Sequence, residues 1–266
     1  TSLELGSYNA MHAMDYMMYA YLQRGQDQAA KQLLDEVRVI QKLDAPNFPA
    51  AFALAAMSAR YALERRRWDE AAQLKLHPQD LPWGQFPQAE AQLVFARALG
   101  AARTGDIAGA QLEVQRLQTL QAKLKEMKIG YWAQQVQIQV TAASAMLAFS
   151  QGKSDEALQT MRFAVELEEA TDKHPVTPGP LVPARELLGE MLLELNRPAE
   201  AAAEFMRTQK TDPNRFRAIY SAALATELAG DRQMARAMYE QLMALTEQRD
   251  TERPELARVR AFLSGG

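Results

Sequence analysis

Cysteine is absent from the 266 residues, which removes disulfides, thiolate metal sites and cysteine nucleophiles together. The redox compartment stays open, because a cysteine-free chain is at home on either side of a membrane. Long hydrophobic runs are also missing. None approaches the roughly 20 apolar residues that a membrane span needs, and no basic-then-apolar leader opens the sequence. The chain starts at Thr1 without Met. We therefore expect a processed form or a fragment, from which a leader could have been lost. An excess of one charge is lacking too. The formal net charge is −3, so no overall basic field recruits nucleic acid or an anionic membrane. Histidine is scarce: His12, His77 and His174 lie in three separate segments, with no spacing that pairs them as metal ligands. Phosphate-cradling glycine loops, zincin motifs and nucleophile elbows do not occur. No cofactor is expected, and the chain by itself is expected not to be an enzyme.

What is present is a helical, water-soluble composition, 48% hydrophobic and 24% charged. Nothing alternates with a period of two over a useful length, so the fold class is all-α. A turn followed five residues later by alanine recurs at Ala30, Ala71, Ala110, Ala157, Ala201 and Ala235. The spacings are 41, 39, 47, 44 and 34 residues, so only the last pair stands at a bare repeat period. The alanine is small because the second helix of a hairpin must approach the first.

Indexed on that alanine, helical hairpins are expected over about 9–40, 50–76, 89–127, 131–170, 182–213 and 216–248, with a capping helix over 253–264. Arg66 stands where the second hairpin would have its turn glycine. Asp27 and Ser154 are expected to cap helices, and the second helix of the third hairpin is unusually long. Three connectors are rich in proline: Asp44 to Pro49, Leu76 to Pro87 and Asp172 to Pro183. Proline fixes φ and denies helix continuation, so these are ordered loops or extended segments. Trp83 and Phe86, in the second connector, are expected to plug an apolar gap between the second and third hairpins.

Leu188-Gly189, Ala201, Phe205 and Pro213 fall on the L-G…A-x3-F…P pattern of the tetratricopeptide repeat, which this stretch resembles. The resemblance implies a right-handed α-solenoid of helical hairpins over residues 1–266, closed by a capping helix. His12 to Asp27, Ala59 to Trp68, Phe86 to Asp106, Lys173 to Ala201, Asp212 to Asp231 and Arg253 to Leu263 also resemble a bacterial family of longer tetratricopeptide-repeat proteins. Members resembling this chain carry a further helical, histidine-rich N-terminal half. The resemblance therefore implies that the chain is the C-terminal half of such a protein. It carries over no activity and no catalytic residue.

Candidate ligand-contacting residues follow from the repeat register. His12, Asp15 and Tyr19 share one helix face and index to the concave groove. They form either a ligand-contacting or metal-assisting patch, or a histidine oriented by its own Asp15. Glu186, Glu190 and Glu194 make an acidic stripe at i, i+4 and i+8, fit for a basic peptide or for an internal arginine, with Arg217 the obvious partner. Phe95 and Tyr220 index to the groove, whereas Phe205 and Tyr239 index to hairpin cores. The Lys/Asn/Arg set of carboxylate-clamping repeats is missing, which disfavours chaperone-tail binding.

The function expected is a non-catalytic scaffold that binds a protein or peptide in its groove. Two alternatives stand: half of a larger metal-dependent or enzymatic protein, and a self-associating structural module. Neither nucleic acid nor a membrane span enters the expected set of partners.

Overall fold

Seven turns of identical hydrogen bonding punctuate the chain in the computed structural model, which describes residues 5–6, 8–43 and 45–265. Six place a residue of positive φ five positions before an indexed alanine: Gly25, Arg66, Gly105, Gly152, Asn196 and Gly230, with φ between 56° and 96°. The seventh has Lys128 at φ 57° five positions before Ala133, an alanine outside the index. The following N–H bonds the carbonyl five residues back at 2.9–3.1 Å, as in Gln26 to Tyr21 and Asp231 to Thr226. This is the Schellman closure of a helix. The next helix starts one residue later. The indexed alanine donates its N–H four residues back in all six cases, and all six alanines are at most 1% exposed. Glycine takes positive φ freely, and asparagine tolerates it. Arg66 does so against its Cβ.

Thirteen helices result among the described residues, and the protein is 74% helical. They are α1 Tyr8–Gln23, α2 Asp27–Arg38, α3 Phe48–Glu64, α4 Trp68–Ala72, α5 Pro87–Thr104, α6 Ile107–Glu126, α7 Gly130–Ser150, α8 Ser154–Glu169, α9 Ala184–Glu194, α10 Pro198–Thr211, α11 Phe216–Leu228, α12 Arg232–Leu245 and α13 Pro254–Ser264. Helices adjacent in sequence pack on one another, as helical hairpins do. Among the described residues, the one element outside the all-α expectation is a two-residue parallel ladder, in which β1 (Leu5–Gly6) pairs with β2 (Lys42–Leu43). Asp44, the first residue of the expected connector, lies outside the described residues.

Local chemistry sets the boundaries. The Asn47 side chain accepts from Ala50 N at 3.0 Å and Pro49 sits in the first turn, so α3 begins earlier than the connector suggested. Asp106 and Asp231 cap α6 and α12 in the same way. Ser154 proves to be the first helical residue of α8, preceded by Lys153, rather than its cap. Helix α4 has five residues and stops at Ala72, short of the expected Leu76. Its last turn runs against α5 at Gly100, where an added Cβ would lie 2.4 Å from Ala72 N. The chain then leaves through the proline connector. There Trp83 is buried, its indole N–H donating to Pro78 O at 2.9 Å.

The chain divides into two compact units. The first comprises residues up to Tyr19 together with Lys31–Ala184. Here the first helices of successive hairpins stack, α3 on α5 and α5 on α7. Fourteen of the 17 residues of α3 and 15 of the 18 of α5 are buried, so these helices are wrapped on every side. By contrast α6 buries a single stripe, Ala110, Val114, Leu117, Leu120 and Leu124, and presents its other faces outward. The buried polar residues of α5 are met from the side: Arg116 Nε donates to Glu90 Oε1 at 2.8 Å, and Gln139 donates to Gln92 at 3.0 Å.

The second unit comprises Ala20–Ala30 and Arg185 onward. Gly189 of α9 faces the Phe205 ring of α10, where an added Cβ would lie 2.6 Å from the ring. Phe216, Ile219, Ala235, Tyr239 and Leu242 build the following core, and Leu256 and Val259 of α13 close it. The turn of the first hairpin belongs to this unit. Asp27 is held by Arg253, whose Nε lies 3.0 Å from its carboxylate, and by Thr251 at 3.1 Å. The first amides of α2 are met by another residue: Gln28 N and Ala29 N both donate to the Asp250 carboxylate at 2.9 Å. Asp250 thus supplies a tertiary cap where the sequence pointed to Asp27.

Candidate functional site

The proline-rich connector of residues 172–183 lies on α1, α3 and α7 of the first unit, held largely by its own backbone carbonyls. Tyr131, at the start of α7, donates its hydroxyl to Asp172 O at 2.8 Å. Tyr16, on α1, donates to Pro175 O at 2.9 Å or to Thr177 O at 3.1 Å. Arg60, on α3, reaches Pro180 O at 3.3 Å, Gly179 O at 3.4 Å and Thr177 Oγ1 at 3.5 Å. His174 lies across two rings, its centroid 5.2 Å from Trp132 and 5.3 Å from Tyr131. Trp132 in turn packs on Phe48 and Phe52 of α3 at 5.0 and 5.2 Å.

The chemistry of this face is one-sided. Prolines 175, 178, 180 and 183 have no N–H to satisfy, so the segment offers mainly acceptors. Its remaining donors are partly satisfied internally, Val176 N by His174 Nδ1 at 3.1 Å and Gly179 N by Thr177 Oγ1 at 3.3 Å. The helices answer with donors: two phenols and a guanidinium. Burial raises the pKa of both Tyr16 and Tyr131, with the Asp15 carboxylate adding to the rise at Tyr16, so both hydroxyls stay protonated and able to donate.

Arg60 is wholly buried in an alanine-rich helix and needs a counter-ion. Asp15, also wholly buried, supplies it at 3.5 Å. That is long for a charge-assisted hydrogen bond. Burial accordingly outweighs the attraction of Arg60 and leaves the Asp15 carboxyl above its ordinary range. Tyr19 completes the surroundings of Arg60, which lies 5.4 Å from the ring centroid. His12 is half-buried with its ring edge-on to Tyr16 at 5.1 Å. The structure therefore gathers His12, Asp15 and Tyr19 at one place, around an arginine and a tyrosine that sequence reasoning did not single out.

In the second unit, Glu186 is buried and paired with Arg215, Nε to Oε1 at 2.5 Å and Nη2 to Oε2 at 3.2 Å. Glu190 is buried on the same helix, and Glu194 is exposed. Arg217 bonds Glu255 of α13, which lowers the pKa of that carboxyl despite its burial. A guanidinium on Glu186 is that of Arg215, two residues before Arg217. Tyr220 is half-buried, 6.4 Å from Tyr239, and burial raises the pKa of its phenol. Phe95 is buried in α5, and Phe205 and Tyr239 are buried in hairpin cores.

Among the described residues no group of three or more His, Cys, Asp or Glu side chains converges in a way that could hold a metal ion. Among the same residues, no helix is long and apolar enough to cross a membrane. Compared with protein-family models the chain matches none, and no curated protein matches it.

Proposed function

We propose that this chain is a non-catalytic scaffold: a right-handed solenoid of tetratricopeptide-like hairpins that binds a protein or peptide on the face of its first helices. The observation that carries this reading is the turn that stands at all six indexed alanines, with a positive-φ residue five positions before each. A unit that repeats one joint builds a stack, and stacks of helical hairpins offer extended faces to extended ligands. The packing of Gly189 on Phe205 adds a second feature of the tetratricopeptide hairpin, in which a small residue on the first helix admits an aromatic from the second.

Peptide-array binding with the labelled chain tests the reading. Retention of extended peptides, weakened by substitutions on α1, α3 or α9, is the expected result. Turnover of a small-molecule substrate by the chain, or tight stoichiometric metal uptake lost in His12→Ala, would replace the scaffold with a chemical role.

A further inference from the structure

We propose that Asp15, Arg60 and residues 172–183 form a proton-operated latch, in which the charge on Asp15 decides how firmly Arg60 holds the connector. The inference stands apart from the scaffold reading.

Geometry carries it. The wholly buried guanidinium of Arg60 serves two sets of oxygens and is close to neither. Its Nε faces Asp15 Oδ1 at 3.5 Å. Its outer nitrogens reach Pro180 O at 3.3 Å, Gly179 O at 3.4 Å and Thr177 Oγ1 at 3.5 Å. A guanidinium left to a carboxylate settles at about 2.7–2.9 Å. All four contacts are therefore stretched. The guanidinium is rigid and planar. A movement that brings Nε onto Asp15 carries the outer nitrogens with it, away from oxygens that already stand near the limit of a hydrogen bond. Asp15 has no competing hold. Among the described residues, neither of its buried carboxylate oxygens accepts a hydrogen bond.

The surrounding groups set the sign. They are His12, Tyr16 and Tyr19 on α1, Arg60 and Glu64 on α3, and Lys173 and His174 from the connector. Burial favours the proton on Asp15, and the positive fields of Arg60 and His12 oppose it without prevailing. Ionised, Asp15 draws Arg60 toward itself and slackens the hold on Thr177, Gly179 and Pro180. Protonated, it leaves the guanidinium to the connector. Acid thus fastens this part of the segment, and a rise in pH loosens it. His174 works in the opposite sense. Its Nδ1 accepts from Val176 N at 3.1 Å, and a proton placed there removes that acceptor.

The test uses the full chain labelled with 15N-glycine. Exchange of the Gly179 amide, which donates to Thr177 Oγ1 inside the grip of Arg60, is read as a protection factor, so that the intrinsic pH dependence of exchange cancels. In wild type, protection should rise roughly threefold or more as pH falls through the raised pKa of Asp15. Asp15→Asn, which cannot ionise, should keep Gly179 at the high value throughout, and Arg60→Gln at the low one. A flat wild-type profile overturns the inference, and so does a pH dependence that survives in Asp15→Asn. If Asp15→Asn does not fold, the wild type alone decides. The 13C signal of the Asp15 carboxyl and the Gly179 amide shift should then titrate with one midpoint, and separate midpoints reject the latch. A fall in protection at Gly179 in step with Val176 would assign the change to His174 and reject it as well.

Discussion

Asp15 and Glu186 stand at the same place in their repeats, each fifteen residues before its indexed alanine, and each is buried against an arginine of the following hairpin. They differ in what that arginine does next. Glu186 receives Arg215 through two contacts, at 2.5 and 3.2 Å, so each carboxylate oxygen is met by that guanidinium. Asp15 meets Arg60 at 3.5 Å, while the outer nitrogens of Arg60 turn to the connector's carbonyls. One position thus serves two ends. In the second unit the buried acid fastens one hairpin to the next. In the first it holds an arginine in place so that the arginine can hold something else.

The largest expected effect comes from breaking the tighter pair. Glu186→Ala takes from a buried guanidinium the carboxylate it meets through two contacts, and should cost about 3–5 kcal/mol in chemical denaturation. Replacing both partners, Glu186→Leu with Arg215→Met, should recover most of that loss. A single substitution as stable as wild type would end the distinction between the two sites.

Asp15→Asn should cost less, about 1–3 kcal/mol, because Arg60 keeps its carbonyl partners. The pH dependence sharpens the contrast. Burial raises the folded-state pKa of Asp15 above its unfolded value, so protonation favours the folded state. That contribution is fully present below the unfolded pKa and is lost as pH rises through the folded one. Wild type should therefore gain stability relative to Asp15→Asn as pH falls through the raised value, and paired urea titrations at several pH values would measure it. A difference that does not vary with pH over the acid range would contradict the assignment.

The equivalence of the two positions depends on the alanine register, which overpacking tests. Ala201→Leu and Ala235→Leu should each cost about 1–3 kcal/mol, read as a lowered midpoint in thermal melts, and unchanged melts in both would dissolve the register. The smallest effect is expected at the turn that breaks the rule. Arg66→Gly relieves a left-handed conformation worth about 1–2 kcal/mol. It also removes the stacking of Arg66 on Trp68 at 5.2 Å, so the net gain should stay below about 1 kcal/mol.

Much of the fold was legible because its signals are local. A turn residue, a capping aspartate and an alanine five residues on act within one or two turns of helix, so the helices from α5 onward lie close to where the sequence put them. The misses share the opposite character. Asp250 caps α2 from 222 residues away, and the ladder joining Leu5–Gly6 to Lys42–Leu43 has no alternating pattern behind it. For the site, register found Asp15 and Glu186 but not their partners. Arg60 and Arg215 lie 45 and 29 residues further on, where no helical spacing applies. A lone arginine inside the alanine-rich run of α3 was the one available hint.

The tertiary cap on α2 has a consequence for synthesis. Its acceptor, Asp250, and the Arg253 that holds Asp27 follow that hairpin by 221 to 226 residues. During translation the turn at Gly25 must wait, with the amides of Gln28 and Ala29 on water, until those residues have emerged. A hairpin made early in this stretch is therefore finished late, and a chain cut before residue 250 leaves those two amides without their carboxylate.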